Sequence, residues 1–225
     1  MARRSSLHPR NTRSLSNASR CAAFAATLWL TAACASQSAA TDHRSAAAAA
    51  TDPTPAAAQA DDLAAYVPAG TALRASARGD LDGDGDEDAL LAIEPTGDSA
   101  AATAPRALLL LRRDAGGALR LAVSSPKAIL CRNCGGMSGD PLQAMRTGKG
   151  EFTLRFEGGS RELWSNEYRF VYRAQDDAWH LAGIVSRGFD REDGKNAQRQ
   201  QGPADFGDVA LGAFDPAQFP ADALP

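Results

Sequence analysis

The residues best suited to chemistry lie in one acidic stretch, residues 80–88, in which six of nine side chains are carboxylates. Aspartates alternate with other residues at its start, Gly85 permits a sharp turn, and an aspartate returns at the ninth position. This spacing suits a backbone wrapped around one hard cation, because Ca2+ prefers six to eight oxygen ligands. The stretch therefore predicts a calcium-binding loop. It reads Asp80-Leu81-Asp82-Gly83-Asp84-Gly85-Asp86-Glu87-Asp88.

The spacing also indicates which kind of calcium loop to expect. An EF-hand loop carries a bidentate glutamate at its twelfth position, where this chain has Leu91. The apolar run 89–93 ends at Glu94-Pro95, which favours a buried strand over a helix. Residues 80–88 also fit a solvated acidic turn, which Asp and Gly favour without a metal. Of these alternatives, we expect a calcium loop that leads into a strand.

The pattern D-x-D-G-D-G-x-x-D before a strand resembles the calcium loops of FG-GAP and VCBS repeats. In those loops the side chains at the first, third, fifth and ninth positions and the carbonyl at the seventh hold the ion. The resemblance implies Ca2+ as the cofactor, bound with a modest dissociation constant of about 0.1–1 mM, as in extracellular modules. The implied side-chain ligands are Asp80, Asp82, Asp84 and Asp88, and Asp86 would offer its carbonyl.

Residues 1–33 have the pattern of a signal peptide, in which a basic, Ser-rich region precedes an apolar stretch ending in small residues. The apolar stretch, residues 21–35, is too short to span a bilayer comfortably. Its end, Leu30-Thr31-Ala32-Ala33-Cys34, resembles a bacterial lipobox and implies lipidation of Cys34, although Thr31 stands where leucine is usual. The competing site Ala33-Cys34-Ala35 would release a soluble periplasmic protein.

Composition defines two further segments and limits the partners. Residues 34–60 are rich in Ala, Thr and Pro without apolar periodicity, which predicts a flexible tether before a folded domain at 61–225. The formal net charge of −3 falls to about −8 once the five arginines of residues 1–20 are removed. An acidic mature chain argues against nucleic acid as a partner. We expect a cell-envelope protein that faces the periplasm and is attached to the membrane through a lipid on Cys34. The sequence does not identify a further partner, for which an envelope protein and a glycan are the candidates.

The domain has the pattern of a mainly β fold, with short alternating segments bounded by Gly, Pro, Asp and Asn. We expect a single small antiparallel domain of seven or eight strands, because the length of the chain allows one domain. The acidic loop should join the first two strands as a hairpin. Alternating aromatic residues should form the core. Strands are expected near 71–77, 89–93, 106–112, 119–123, 152–157, 168–173 and 179–185, with a loop at 189–203 and a short closing strand within 205–214.

A succession of short segments widens the resemblance over residues 66 to about 211. It is similar to a group of small exported bacterial proteins, many of them lipoproteins, of unassigned function. The resemblance implies an exported β domain and assigns no catalytic residues, so it bears on localisation and fold more than on activity. Two departures are Arg161-Glu162-Leu163-Trp164 in place of an aromatic-rich segment and Asp82 in place of asparagine. The segments are Tyr66-Val67-Pro68, Gly79-Asp80-Leu81-Asp82, Arg106-Ala107-Leu108-Leu109, Cys134-Gly135-Gly136, Gly139-Asp140-Pro141, Gly158-Gly159-Ser160 and Phe170-Val171-Tyr172.

Cys131 and Cys134 form a C-x-x-C pair, for which an oxidising envelope favours a local disulfide. A zinc site would need two more ligands, and His180 is the only histidine in the domain. A thiol-disulfide redox protein is the alternative, although no convincing helix follows the pair. The chain has no G-x-S-x-G, H-E-x-x-H or phosphate-binding glycine motif. We therefore predict a non-catalytic binding or structural module.

Overall fold

The computed structural model describes residues 63–97 and 99–219. The predicted signal peptide, the tether at 34–60 and Cys34 lie outside the described residues. The described chain is mainly β, as predicted, with antiparallel strands in two sheets and few short helices. It contains nine strands, one or two more than expected. Within these residues, no helix has the length and apolar composition needed to cross a bilayer.

The first sheet is a meander of four strands in sequence order. Its two central strands are rich in branched apolar residues and are buried on both faces. A helical turn at 63–66 precedes the sheet, and a short helix, α1 (Ser99–Thr103), connects its second and third strands. The strands are β1 (Thr71–Gly79), β2 (Asp88–Pro95), β3 (Arg106–Arg113) and β4 (Leu119–Ile129).

The second sheet is a meander of five strands, again in sequence order. A three-residue 3-10 helix, η1 (Gly136–Ser138), lies between the two sheets in the chain. Gly150 has a φ of 69° and forms the tight turn between the first two strands. The strands are β5 (Leu142–Gly148), β6 (Glu151–Gly159), β7 (Glu162–Arg173), β8 (Ala178–Asp190) and β9 (Asn196–Gln201).

One core forms where the inner faces of the two sheets meet. The alternation of β6 buries Phe152, Leu154 and Phe156, as predicted, because side chains two residues apart share a face. Phe152 stacks on Phe170 of β7 with ring centroids 4.9 Å apart. A smaller cluster on the outer face of the first sheet is covered by Leu63. Both faces of the first sheet therefore contribute to burial.

The C-terminal strap, residues 203–219, packs against this core. It contains α2 (Pro203–Phe206) and two 3-10 helices, η2 (Leu211–Ala213) and η3 (Pro216–Gln218). The N–H of Leu181 in β8 donates to the carbonyl of Val209 at 2.9 Å. Phe214 is buried and contacts the rings of Tyr168 and Phe170 at centroid distances of 5.1 and 5.0 Å. The strap contributes a single bridge residue at 210 and no strand, so the closing strand expected within 205–214 was wrong.

Strict alternation in the sequence would place Leu121 and Val123 on one face of β4, and residues 181, 183 and 185 on one face of β8, but two β-bulges break this alternation. Leu110 pairs with Val123 and Leu111 with Leu121, so one extra residue places Leu121 and Val123 on opposite faces. Leu121 is consequently 53% exposed instead of half-buried. A second bulge in β8, opposite Arg169 and Phe170, buries Ile184 where alternation pointed to residues 183 and 185. An inserted residue reverses the inward face for the remainder of a strand.

The predicted loop at 189–203 was also wrong, because β9 lies within it. β9 pairs with β8 from Ile184↔Gln201 to Phe189↔Asn196. It consists almost entirely of polar residues with exposed or half-buried side chains, so no apolar alternation marks it. Backbone pairing to an already formed edge is enough to hold such a strand.

Candidate metal centre

The acidic loop joins β1 to β2 at one end of the first sheet. Gly83 and Gly85 have φ values of 85° and 102°, a conformation that glycine adopts without strain. The aspartate side chains organise the turn locally: Asp82 Oδ1 accepts the N–H of Asp84 at 3.1 Å, and Asp84 Oδ1 accepts the N–H of Asp86 at 2.8 Å. The backbone is therefore curved so that several carboxylates can face its interior.

Three of the carboxylates converge. Asp80, Asp82 and Asp88 each offer an oxygen, and these three oxygens lie within 4.8 Å of one another. Calcium–oxygen distances of about 2.4 Å place oxygens on opposite sides of one ion about 4.8 Å apart. The three carboxylates are therefore close enough to bind a single ion.

These carboxylates are shielded from water. Asp88 is fully buried, and the Asp82 side chain is only 1% exposed. Asp80 Oδ1 is buried and has no hydrogen-bond partner within the described part of the chain. A buried polar atom without a partner costs about 1–3 kcal/mol, and more when the group is charged. A cation bound by the three carboxylates would offset this cost at Asp80.

Asp88 is positioned by the backbone on both sides. Its Oδ2 accepts the N–H of Leu81 at 2.9 Å, and its Oδ1 accepts the N–H of Arg113 at 2.8 Å. Burial raises the pKa of Asp88 most strongly, the charges of Asp82 and Asp84 add to the increase, and the two backbone hydrogen bonds oppose it. The protein therefore holds this carboxylate in place while making its negative charge unfavourable, which a bound cation would reverse.

Arg112 on β3 contacts this group directly. Its Nε contacts Oδ2 of Asp82, and its Nη1 lies 2.7 Å from Oδ1 of Asp177 in the turn between β7 and β8. The guanidinium also lies over the ring of Tyr172, 5.6 Å from the centroid. Burial opposes the charge, but Asp82, Asp177 and Tyr172 together raise the pKa of Arg112 above its ordinary value. Arg112 thus links the acidic loop to the second sheet.

Two other contacts anchor the loop to the second sheet. The indole Nε1–H of buried Trp179 donates to the carbonyl of Leu81 at 2.7 Å. The N–H of Gly150, in the turn between β5 and β6, donates to the carbonyl of Asp80 at 2.8 Å. The adjoining strands β1 and β5, which belong to different sheets, are also in contact: Thr147 Oγ1–H donates to the carbonyl of Arg78 at 2.7 Å. The loop therefore lies where the two sheets meet.

The structure brings together three of the five predicted metal ligands. Asp84 and Asp86 are exposed, and their carboxylates lie outside the group formed by Asp80, Asp82 and Asp88. Their ligand roles, through the Asp84 side chain and the Asp86 carbonyl, stay predictions. No local pattern indicates a role for Arg112, because its partner Asp177 is 65 residues away.

Cys131 and Cys134 form a disulfide at the opposite end of the first sheet from the acidic loop. Cys131 is buried, whereas Cys134 is exposed and borders a cavity of about 380 Å3 that Trp164 and Tyr168 also line. The regular element that follows is η1, which is only three residues long.

Near this disulfide lies an ion-pair network that sequence reasoning missed. The Arg106 side chain is 1% exposed, and its Nη1 and Nη2 donate to the two oxygens of Asp140 at 2.9 and 2.7 Å. Glu94 Oε2 lies 3.4 Å from Arg106 Nη1, and Arg74 Nε also donates to Asp140 Oδ2. These bonds tie β1, β2 and β3 to the chain entering β5. Every charge has a partner in the network, so its role is structural.

His180 is a second residue whose surroundings differ from expectation. Its alternation with Trp179 and Leu181 places it on the surface face of a strand, but its side chain is only 12% exposed. Its Nε2 lies 2.8 Å from Asp176 Oδ2, and its Nδ1 lies 2.8 Å from Asp208 Oδ1. Asp208 belongs to the C-terminal strap, which His180 therefore helps to hold.

Together, these features define a small two-sheet β domain with a candidate cation site between its first two strands. No protein-family model, curated protein or solved structure matches the chain. Its function is therefore argued from the site.

Proposed function

We propose that this protein is a calcium-binding, cell-envelope-anchored β domain that acts as a non-catalytic binding or structural module. The observation that carries the proposal is the convergence of oxygens from Asp80, Asp82 and Asp88, together with a buried Asp80 oxygen that has no hydrogen-bond partner in the described chain. A bound cation would stabilise this arrangement, because like charges at short range repel strongly where water is excluded.

Calcium fits the ligands better than the other common metals. All the candidate ligands are hard oxygens, which favours Ca2+ or Mg2+ over zinc. The exposed side of the loop offers Asp84, backbone carbonyls and water to complete a coordination number of six to eight. Mg2+ demands near-ideal octahedral geometry and retains several waters. This glycine-containing loop does not impose an octahedral arrangement of ligands. The FG-GAP and VCBS resemblance points to the same ion.

The position of the site supports a structural role for the ion. The loop contacts Trp179, Gly150 and Arg112, which belong to three different parts of the domain. An ion that fixes the loop would therefore fix the first hairpin against the second sheet. Attachment to the envelope would come from the lipid on Cys34, and the partner would be an envelope protein or a glycan.

Thermal unfolding of the purified protein in calcium, in magnesium and in a chelator tests the proposal. Calcium at about 100 times its dissociation constant should add about 2.7 kcal/mol to the free energy of unfolding. For a domain of this size, that corresponds to an increase in Tm of roughly 5–10 °C. Magnesium at the same concentration should produce a much smaller increase.

Two charge-matched variants identify the ligands. Asp80→Asn should abolish the calcium-dependent increase in Tm, because it removes the buried carboxylate. Asp86→Asn removes the same charge from an exposed position in the same loop and should retain most of the increase. An identical Tm in calcium and chelator for the unmodified protein would overturn the proposal. Equal losses in the two variants would show that loop charge matters and ligand geometry does not.

A thiol-disulfide function has one specific observation in its favour, the exposure of Cys134 beside a cavity. Against it, Cys131 is buried and no long helix begins at the pair to stabilise a thiolate. Insulin reduction by the unmodified protein, compared with a Cys131→Ser, Cys134→Ser double variant, separates the two functions. Activity in the first and none in the second would favour the redox function.

A further inference from the structure

We propose that Arg112 limits the calcium affinity of this site by competing with the ion for Asp82. Removing the Arg112 charge should therefore tighten calcium binding. The inference rests on the proposed calcium function and adds a residue that sets the affinity. It concerns a contact between distant parts of the chain, because Arg112 lies on β3 whereas Asp82 lies between β1 and β2.

The competition follows from geometry. Arg112 Nε contacts Oδ2 of Asp82, a side chain that is 1% exposed and belongs to the converging carboxylates. An ion bound by Asp80, Asp82 and Asp88 would share this carboxylate with the guanidinium. Arginine keeps its charge throughout the accessible pH range, so it cannot lose a proton when the ion arrives. The divalent ion and the guanidinium must therefore repel each other.

The structure also provides a second partner for the guanidinium. Asp177 accepts a hydrogen bond from Arg112 Nη1, and the hydroxyl of Tyr172 donates to Asp177 as well. The Tyr172 ring lies beneath the guanidinium. Asp177 and Tyr172 can keep Arg112 in place when the ion binds Asp82. Calcium binding then weakens the Arg112–Asp82 ion pair, which costs free energy, but Arg112 remains ordered.

Isothermal titration calorimetry with CaCl2 at low ionic strength tests this competition. Arg112→Gln should bind calcium roughly tenfold more tightly than the unmodified protein, since a unit charge beside a divalent ion is removed in partly buried surroundings. Arg120→Gln is the matched control: it removes the same charge from the neighbouring strand β4, where Arg120 pairs with the exposed Asp114. We expect less than a twofold change for this control.

A structural role for Arg112 predicts the opposite sign. If Arg112 only positioned Asp82, its removal would weaken calcium binding, and Arg112→Lys would weaken it too. Under competition, Arg112→Lys should stay within about threefold of the unmodified protein, because the charge is retained. Arg112→Gln should also lower Tm in chelator and show a larger rise in Tm when calcium is added.

Asp177→Asn provides a second test that does not remove the arginine. Asp177 lies in an exposed turn with φ of 51°, a conformation that asparagine tolerates. Without the Asp177 charge, Arg112 should depend more on Asp82, and calcium affinity should fall by roughly two- to fivefold.

The outcomes separate the two proposals. No calcium binding by the unmodified protein would overturn the calcium function itself. Calcium binding that is unchanged or weakened in Arg112→Gln would overturn the competition while leaving the calcium function in place. If Arg112→Gln does not fold, unchanged or tighter binding by Asp177→Asn overturns the competition.

Discussion

The indole of Trp179 donates a hydrogen bond to the carbonyl of Leu81 across 2.7 Å, although the two residues are 98 positions apart in the chain. Leu81 lies inside the acidic loop, and Trp179 lies on β8 in the core. This bond connects the candidate ion site to the interior of the second sheet. An event in the loop should consequently be detectable at this tryptophan.

Trp179 fluorescence is expected to report calcium binding. Ordering of the loop by the ion should change the polarity and mobility around the indole. A calcium titration should give a saturable change in emission with the same midpoint as calorimetry. The change should persist in Trp164→Phe and disappear in Trp179→Phe. A signal that persists in Trp179→Phe would show that the reporter lies elsewhere.

Asp140→Asn is expected to destabilise the domain by about 3 kcal/mol at neutral pH, because it leaves the buried Arg106 guanidinium with a weakened partner. Urea unfolding monitored by circular dichroism measures the change. The exposed Asp114, which pairs with Arg120, is the matched control. Asp114→Asn should have little effect, and an equal loss in both variants would contradict a special role for the buried pair.

The same variant should alter acid stability. Burial acts to raise the pKa of Asp140, but hydrogen bonds from Arg106, Leu142 and Arg74 lower it below the ordinary value. A carboxyl with a lowered pKa in the folded state contributes stability above its unfolded pKa of about 4 and loses it as pH falls further. The free energy of unfolding of Asp140→Asn should therefore depend less on pH below about 4. A pH dependence identical to that of the unmodified protein would contradict this assignment.

Removal of the Cys131–Cys134 disulfide should cost about 2 kcal/mol, the chain-entropy value for so short a loop. Calcium affinity of the Cys131→Ser, Cys134→Ser variant should stay within twofold, because the disulfide and the acidic loop lie at opposite ends of the first sheet. Urea unfolding and calorimetry measure the two quantities. A large loss of affinity would show unexpected coupling between the two ends.

Phe214→Ala is expected to destabilise the domain by about 3–5 kcal/mol, because it leaves a cavity against Tyr168 and Phe170. Phe206→Ala is the matched control on the same strap, since Phe206 is half-buried and meets Phe219 at its edge. It should cost roughly 1 kcal/mol. Similar losses for the two substitutions would indicate that the strap is not anchored chiefly by Phe214.

Local patterns made much of the fold predictable. The acidic loop, the first hairpin and the buried aromatic residues of β6 follow from residue types within a few positions of each other. The bulges at Leu121 and in β8 could not be predicted, because the partner strand determines where a residue is inserted. β9 was not predicted, because it is held by backbone hydrogen bonds and its own side chains bury little apolar surface.

The candidate site was predictable only in part, for the same reason. The spacing of acidic residues predicted a loop between the first two strands, and the FG-GAP and VCBS resemblance implied five ligands without ranking them. Asp80, Asp82 and Asp88 are distinguished from Asp84 and Asp86 by burial, which depends on the second sheet. The pairs Arg112–Asp177 and Arg106–Asp140 join residues 65 and 34 positions apart, beyond any local pattern.

Because each sheet is a meander, the strands lie side by side in the order in which they are synthesised. Hairpins of neighbouring strands need little chain closure and can form early. The core, by contrast, is completed only by the strap that contains Phe214, near the C-terminus. A chain that stops before residue 203 would thus have both sheets but an uncovered apolar surface. Such truncated chains should be prone to aggregation and proteolysis.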